Sequence, residues 1–400
     1  MEGGINQISN SLCSFYEINW GLQPSFVGIQ RQETGDFPSK YQNVALIVGV
    51  TGMSGNSLAD MLQLAGTPGG RWKVYGVACR PQPEWQFHHR IHYIQCEMAD
   101  PQDSQAKLSR LTDVTHVFYV GWVNKSSEDE SRVENGNMLR NVLKAVIPNA
   151  PNLQHICLQT GQNSSIPSAN VGFSEDLARA DSLGCYSGME NILSEEVRNK
   201  ENLTWSIHRP SVMIGFSPYS TRNIVGSLCV YATICKHEKK PLRFPGIQAA
   251  WDGYSEGADA DLVADQQIWA GLERPGKGQV FNCSNGDKFK WRDLWKVLAE
   301  EFEVEYMEFE ECSETLEEMM RDKGPVWDEI VEEKELLPTK LEELGTWWYV
   351  DYVIRREPGS GSDVSCSMNK SKEYGFDGSR DTVESFRFWI EHTRKYKIVP

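Results

Sequence analysis

"ALIVGVTGMSGNSLAD", residues 45–60, decides the fold. An apolar run ends in three glycines, Gly49, Gly52 and Gly55, and a helix-forming segment follows. Glycine has no Cβ, so the chain can turn tightly after a strand and bring its backbone close to a pyrophosphate. The amides at the start of the next helix then face the negative charge. The spacing is GxxGxxG, a weak signal alone. Here it closes the first strand of an alternating series, which is the context such a loop requires. The expected nucleotide loop comprises Gly49, Thr51, Gly52, Met53, Ser54 and Gly55.

Outward from this loop, apolar strands are expected at 44–50, 72–78, 92–98, 116–122, 155–161 and 204–215, with helices between most of them, such as 134–147 and 186–200. Near-continuous apolar strands alternating with helices imply a parallel sheet covered on both faces. The expected fold is therefore α/β, a Rossmann-type doubly wound parallel sheet with a smaller, mostly helical C-terminal substrate part. Residues 1–40 form an irregular arm, 41–215 the dinucleotide-binding domain and 216–400 mainly the substrate part, from which the strand at 279–285 rejoins the sheet. Helical runs occupy 221–238, 259–272 and 290–302, an acidic helix-rich stretch follows over 300–343, and "REPGSGSD" (356–363) reads as a surface loop.

The net charge of −16 over 400 residues argues against nucleic acid or an anionic membrane as partner. No segment has the apolar length of a membrane span, and the N-terminus lacks the pattern of a secretory signal, so the cytoplasm is the expected location. Ten cysteines occur without a CxxC pair, mostly inside apolar runs, as expected of buried free thiols. Neither GxSxG nor HExxH is present, and no metal site is expected. His208, inside an apolar strand, reads as a satisfied core residue.

The end of the second strand selects the nucleotide. NAD sites usually place a carboxylate there for the ribose 2′-hydroxyl. This chain has Ala78-Cys79-Arg80-Pro81, and Arg80 can pair with a 2′-phosphate, which favours NADPH. Glu97 and Met98, at the end of the third strand, are placed near the adenine. Many short-chain reductases carry Tyr-x-x-x-Lys on a helix. The tyrosine candidate is Tyr186, but Glu190 stands four residues on. Tyr186 is then either structural or part of another arrangement.

"YQNVALIVGVTGMSGNSLA", "WKVYGVACRPQPEW", "LTDVTHVFYVGW", "CLQTG", "LTWSIHRPSVMIGFSPYS", "AAWDGYSEGADADL" and "MNKSKEYGF" together resemble the progesterone 5β-reductase and iridoid synthase family of plants, from about Lys40 to the C-terminal "KYKIVP". These are atypical extended short-chain reductases. The resemblance implies NADPH-dependent 1,4-reduction of the activated C=C bond of an enone or enal: a steroid enone, a monoterpene dialdehyde or a small enone. Tyr186 matches the family tyrosine, which sits in a YxxxE setting and stabilises the enolate. The resemblance also assigns Gly121, Gln159, Tyr186, Pro210, Met213, Ser220, Thr221 and Arg222 to the cofactor site, and Trp122 and Tyr349 to the substrate pocket. A homodimer is compatible with it.

Four departures accompany the match. Asn163 stands where the family has its catalytic lysine, two residues after "LQTG", and the loop 162–184 is shorter than usual. Cys79 replaces the first of two arginines that hold the 2′-phosphate, and Gly121 replaces a threonine. The loss of the lysine admits an alternative, a non-reducing cyclase or isomerase, or a non-catalytic protein that binds NADPH or a terpenoid.

Overall fold

The computed structural model describes residues 41–87, 89–161, 185–356 and 367–400. Seven strands form one parallel sheet: β1 (Asn43–Val48), β2 (Trp72–Ala78), β3 (His92–Gln95), β4 (His116–Tyr119), β5 (His155–Gln159), β6 (Thr204–Pro210) and β9 (Gln279–Cys283). Their spatial order is 3-2-1-4-5-6-9. The first six follow the dinucleotide-binding order, which reverses direction between β1 and β4 and opens a crevice there. The expected strand at 279–285 does rejoin the sheet, beside β6.

Side chains alternate between the faces, as strand geometry requires. Leu46, Val48, Val117, Tyr119, Ile156 and Leu158 point into one core, where helices α2 (Pro101–Leu108), α3 (Glu128–Val146) and α4 (Cys185–Val197) supply Leu108, Leu139, Leu143, Met189 and Leu193. Ala45, Ile47, Phe118 and Cys157 point to the other face, covered by α1 (Met53–Met61) and α7 (Ala260–Leu272) through Leu58, Ala59, Ala264 and Ile268. Each fully buried Leu, Ile or Phe contributes roughly 1.5–3 kcal/mol. Both faces are thus apolar, which is why the strands read as continuous apolar runs.

A third core lies under the C-terminal half. It joins α5 (Ile224–Glu238), α8 (Trp291–Phe302), α10 (Gly324–Glu333), α12 (Trp347–Ile354) and α14 (Thr382–Lys395) around Leu228, Trp295, Trp327, Val350 and Trp389. The shorter helices α6 (Gln248–Asp252), α9 (Leu316–Met320), α11 (Leu341–Leu344) and α13 (Asn369–Glu373) connect them.

One expected element differs. The single strand read over 204–215 divides at Ser211: β6 stays in the main sheet, and β7 (Val212–Ile214) pairs with β8 (Gly257–Asp259) in a separate two-stranded sheet. Pro210 has no N–H to continue the ladder, so the chain leaves the sheet there. The turn carries residues 218–222 over the carboxyl ends of the strands. Residues 357–363 of the expected surface loop, and Asn163 with the whole of 162–184, lie outside the described residues.

Cys79, Cys96, Cys157, Cys229, Cys235, Cys283 and Cys312 form no disulfide, and five of them are buried. His208 is buried and bonded on both ring nitrogens, to Gln266 at 2.8 Å and Ser206 at 3.0 Å, and burial lowers its pKa to about 4. The core reading of His208 therefore holds. No helix of the described residues is long and apolar enough to cross a membrane.

Candidate active site

The glycine loop lies at the crevice. Gly49 has φ +94°, a conformation glycine adopts without strain, and a Cβ there would stand 2.6 Å from Gly121 Cα at the end of β4. A Cβ on Gly55 would stand 2.2 Å from Gly49 O. Two glycines are therefore needed simply to pass the backbone through. Gln86 braces the turn, donating to Val50 O at 2.7 Å and to Asn56 Oδ1 at 3.2 Å. Helix α1 starts at Gly52 with no side-chain cap and no acidic residue in its first turn. Its leading amides are consequently available to an anion, and a pyrophosphate fits this cradle.

Cys79 and Arg80 leave the end of β2 exposed, and the Arg80 guanidinium lies 4.9 Å from the Tyr219 ring centroid. Glu97 is also exposed, whereas the Met98 side chain turns into the core beside Leu108 and Val114, which leaves only its backbone at the surface. Gln159 accepts from Gln267 at 2.8 Å, and Met213 is buried in β7.

A cavity of about 1470 Å³ opens beside the loop, and Arg80, Trp122, Tyr186, Pro210, Ser220, Thr221, Arg222 and Tyr349 all line it. Residues scattered over 270 positions of sequence thus meet in one space, while Gly49–Gly55, Cys79, Glu97, Met98, Gln159 and Met213 do not line it. Tyr186 stands in the first turn of α4, and a Cβ on Gly161 would be 3.0 Å from its hydroxyl. The phenol packs against Trp122, ring centroids 4.9 Å apart. Trp122 is held by its own Nε1–H, which donates to Asn124 at 2.6 Å, and by Asn135, which binds both backbone groups of Val123.

The Arg222 guanidinium donates from Nη1 to the Tyr186 phenol oxygen at 2.7 Å. It also faces the Trp122 and Tyr349 rings, 5.4 Å and 6.0 Å from their centroids. Burial works against the Arg222 charge, but the neighbouring Tyr186 and Tyr349 outweigh it and hold its pKa above the ordinary value. Burial pushes the Tyr349 phenol up to about 12, so it stays neutral at physiological pH. Arg222 was expected in the cofactor site; its contact with Tyr186 left no trace in local sequence.

Glu190 has a definite task. Its carboxylate takes both arms of the Arg209 fork, Nε at 2.9 Å and Nη2 at 2.7 Å, and accepts from Thr160 at 3.3 Å. Tyr186 and Glu190 are four apart and share a face of α4. Glu190 thereby pins that face to β6 and to the end of β5. The signal available in sequence was an arginine inside an otherwise apolar strand, "SIHRPSV". Among the described residues no cluster of His, Cys, Asp and Glu could hold a metal ion.

Strand order, crevice and glycine loop define a Rossmann-fold protein of the short-chain dehydrogenase/reductase type. Solved structures with this fold include the UDP-glucose 4-epimerase of Thermotoga maritima, with TM-score 0.62 and 13% identity, covering 88% of this chain and 99% of the epimerase. At family level, residues 95–400 match the PRISE-like Rossmann-fold domain. An (S)-8-oxocitronellyl enol synthase of Nepeta racemosa is 53% identical over 93% of this chain and 97% of its own. A 3-oxo-Delta(4,5)-steroid 5-beta-reductase of Arabidopsis thaliana is 51% identical over 96% of this chain and 100% of its own. The chain belongs to the progesterone 5β-reductase and iridoid synthase family.

Proposed function

We propose that this protein is an NADPH-dependent reductase of the activated C=C bond of an apolar enone or enal. The observation that carries the reading is the Tyr186 phenol, set in the wall of an aromatic-rich cavity beside the glycine loop. Relatives named for enol synthesis and for steroid 5β-reduction support the reaction class. When bound, the cofactor supplies a hydride. The chain's own part is then to hold the reactants and to stabilise the negative charge that collects on the carbonyl oxygen as the double bond is reduced.

Tyr186 is placed to donate its O–H to that oxygen. Trp122 and Tyr349 offer apolar ring surface to the substrate skeleton and limit water beside the developing charge. The pyrophosphate would sit on the amides of Met53 and Ser54, since the Gly52 amide already donates to Gly49 O at 3.0 Å. Support for NADPH rather than NADH comes from the lack of a carboxylate at the end of β2 and from Arg80, whose exposed guanidinium can fork onto a 2′-phosphate. Cys79 offers no second charge, so the preference should be modest. These cysteines, in no disulfide, fit a reducing compartment, the cytoplasm.

The test is oxidation of NADPH, followed by its absorbance, with progesterone, 2-cyclohexen-1-one and 8-oxogeranial, and with NADH in parallel. Turnover of any of the three, faster with NADPH, is the expected result. Intact NADPH binding without turnover of any of them would overturn the reading.

A further inference from the structure

We infer that Arg222 is the positioning cation of the site, acting through Tyr186 to stabilise negative charge on the substrate oxygen. The inference rests on the reading of Tyr186 given above and adds to it the source of the positive charge. A guanidinium carries only donors. In the 2.7 Å bond between Arg222 and Tyr186 the phenol oxygen must therefore accept. The phenol's own proton is left for a second acceptor in the cavity, the carbonyl oxygen of the substrate. A bond from a charged donor also polarises the phenol more strongly than a neutral one would.

The second observation is that the described residues supply no counter-ion. Among the described residues no carboxylate lies within ion-pair distance of Arg222; its neighbours are the Tyr186, Trp122 and Tyr349 rings. A half-buried cation held mainly by ring faces is costly to keep, and those faces offset only part of the cost. Negative charge is what the described residues do not supply here, and the reaction creates it on the oxygen that Tyr186 binds.

The guanidinium is also fixed in advance. Arg222 directly precedes Asn223, whose side chain caps α5 at Gly226 N (3.0 Å) and whose amide donates to Thr346 Oγ1 (3.0 Å). Thr346 in turn donates its amide to Ser227 at 2.9 Å, tying the start of α5 to the start of α12. A charge held this way needs no reorganisation when the oxyanion forms. Arg222 transfers no proton and forms no covalent bond.

Arg222→Met removes the charge and keeps most of the apolar length, and Arg222→Lys keeps the charge. The first readout needs no cofactor: binding of 4-nitrophenolate, a mimic of the enolate oxygen, to the full-length chain, with neutral 4-nitroanisole as control. Arg222→Met should weaken 4-nitrophenolate by about tenfold or more while leaving 4-nitroanisole unchanged, and Arg222→Lys should recover most of the loss. With 2-cyclohexen-1-one, Arg222→Met should lower kcat on the order of 10²-fold, a far larger change than any in KM for NADPH. Equal 4-nitrophenolate affinity in wild type and Arg222→Met would overturn the inference. So would equal losses in the Met and Lys variants accompanied by matching drops in melting temperature. If instead wild type oxidises no NADPH, the reductase reading has failed, and the 4-nitrophenolate series still decides the role of Arg222.

Discussion

The Glu190 carboxylate and the Arg209 guanidinium form a two-armed ion pair, 2.7 Å and 2.9 Å, that bolts helix α4 to strand β6. Glu190 is buried, its side chain 3% exposed, whereas that of Arg209 keeps 24% exposure. Removing the carboxylate strands a positive charge that retains some access to water. Glu190→Ala should therefore destabilise the fold by about 3 kcal/mol, the low end for a broken buried pair. Glu190→Gln keeps an acceptor for one arm and should lose less. Urea unfolding checks both. An unchanged midpoint for Glu190→Ala would show that the pair does not hold the helix.

Tyr186→Phe removes one hydroxyl and leaves the ring packed at a tilt against Trp122. The cofactor loop is untouched, so NADPH affinity should change far less than kcat. Loss of a donor aimed at a developing oxyanion typically lowers kcat by about 10²–10³. Single-turnover measurement with 2-cyclohexen-1-one separates that loss from binding. Wild-type turnover in the variant would remove the phenol from the mechanism.

Gly49 and Gly121 touch, and the contact is one-sided. A Cβ at Gly49 meets Gly121 Cα at 2.6 Å and is also penalised by φ +94°, whereas a Cβ at Gly121 makes only ordinary contacts, Val48 O at 3.5 Å and Gly49 Cα at 3.7 Å. Gly49→Ala should cost about 1–2 kcal/mol from backbone conformation alone, with the clash added to it, and abolish NADPH binding. Gly121→Thr should leave the urea midpoint unchanged. Thermal unfolding and cofactor titration of the two variants make the comparison. Equal behaviour would contradict the geometry.

Legibility in the sequence follows the range of the interactions. β2 is read at its correct ends because Trp72, Val74, Gly76, Val77 and Ala78 are apolar or small and Trp72, Val74 and Gly76–Ala78 are buried, with Lys73 and Tyr75 only partly so. The glycine loop is read because its constraint is local: backbone torsion and the start of one helix. The break at Ser211 is missed because Val212–Ile214 are as apolar as β6 and only the removal of one N–H by Pro210 marks it. The partners of Tyr186 and Glu190 are invisible for another reason. Arg222 and Arg209 reach them across 36 and 19 residues, and no periodicity records a pair made by two elements meeting at a crevice.

Asp261 makes stability depend on pH in a defined direction. Its Oδ1 is enclosed without a hydrogen-bond partner among the described residues. Asp259, two residues away, caps helix α7 through the amides of Asp261 and Leu262, receives Trp389 Nε1–H at 2.9 Å, and also accepts from Ser385. Burial first, and then the Asp259 charge, raise the Asp261 pKa from 3.8 to about 8. Between those values the folded chain holds a proton that the unfolded chain has released. The native state therefore binds more protons, and stability falls as pH rises from about 4 to about 8. Asp261→Asn preserves the shape of the neutral carboxyl and cannot ionise. Other titrating groups cancel in the difference between variant and wild type, so urea midpoints should diverge steadily in favour of Asp261→Asn across that window. Parallel curves would mean that Asp261 is charged in the folded protein and that helix α7 tolerates two adjoining carboxylates at its start.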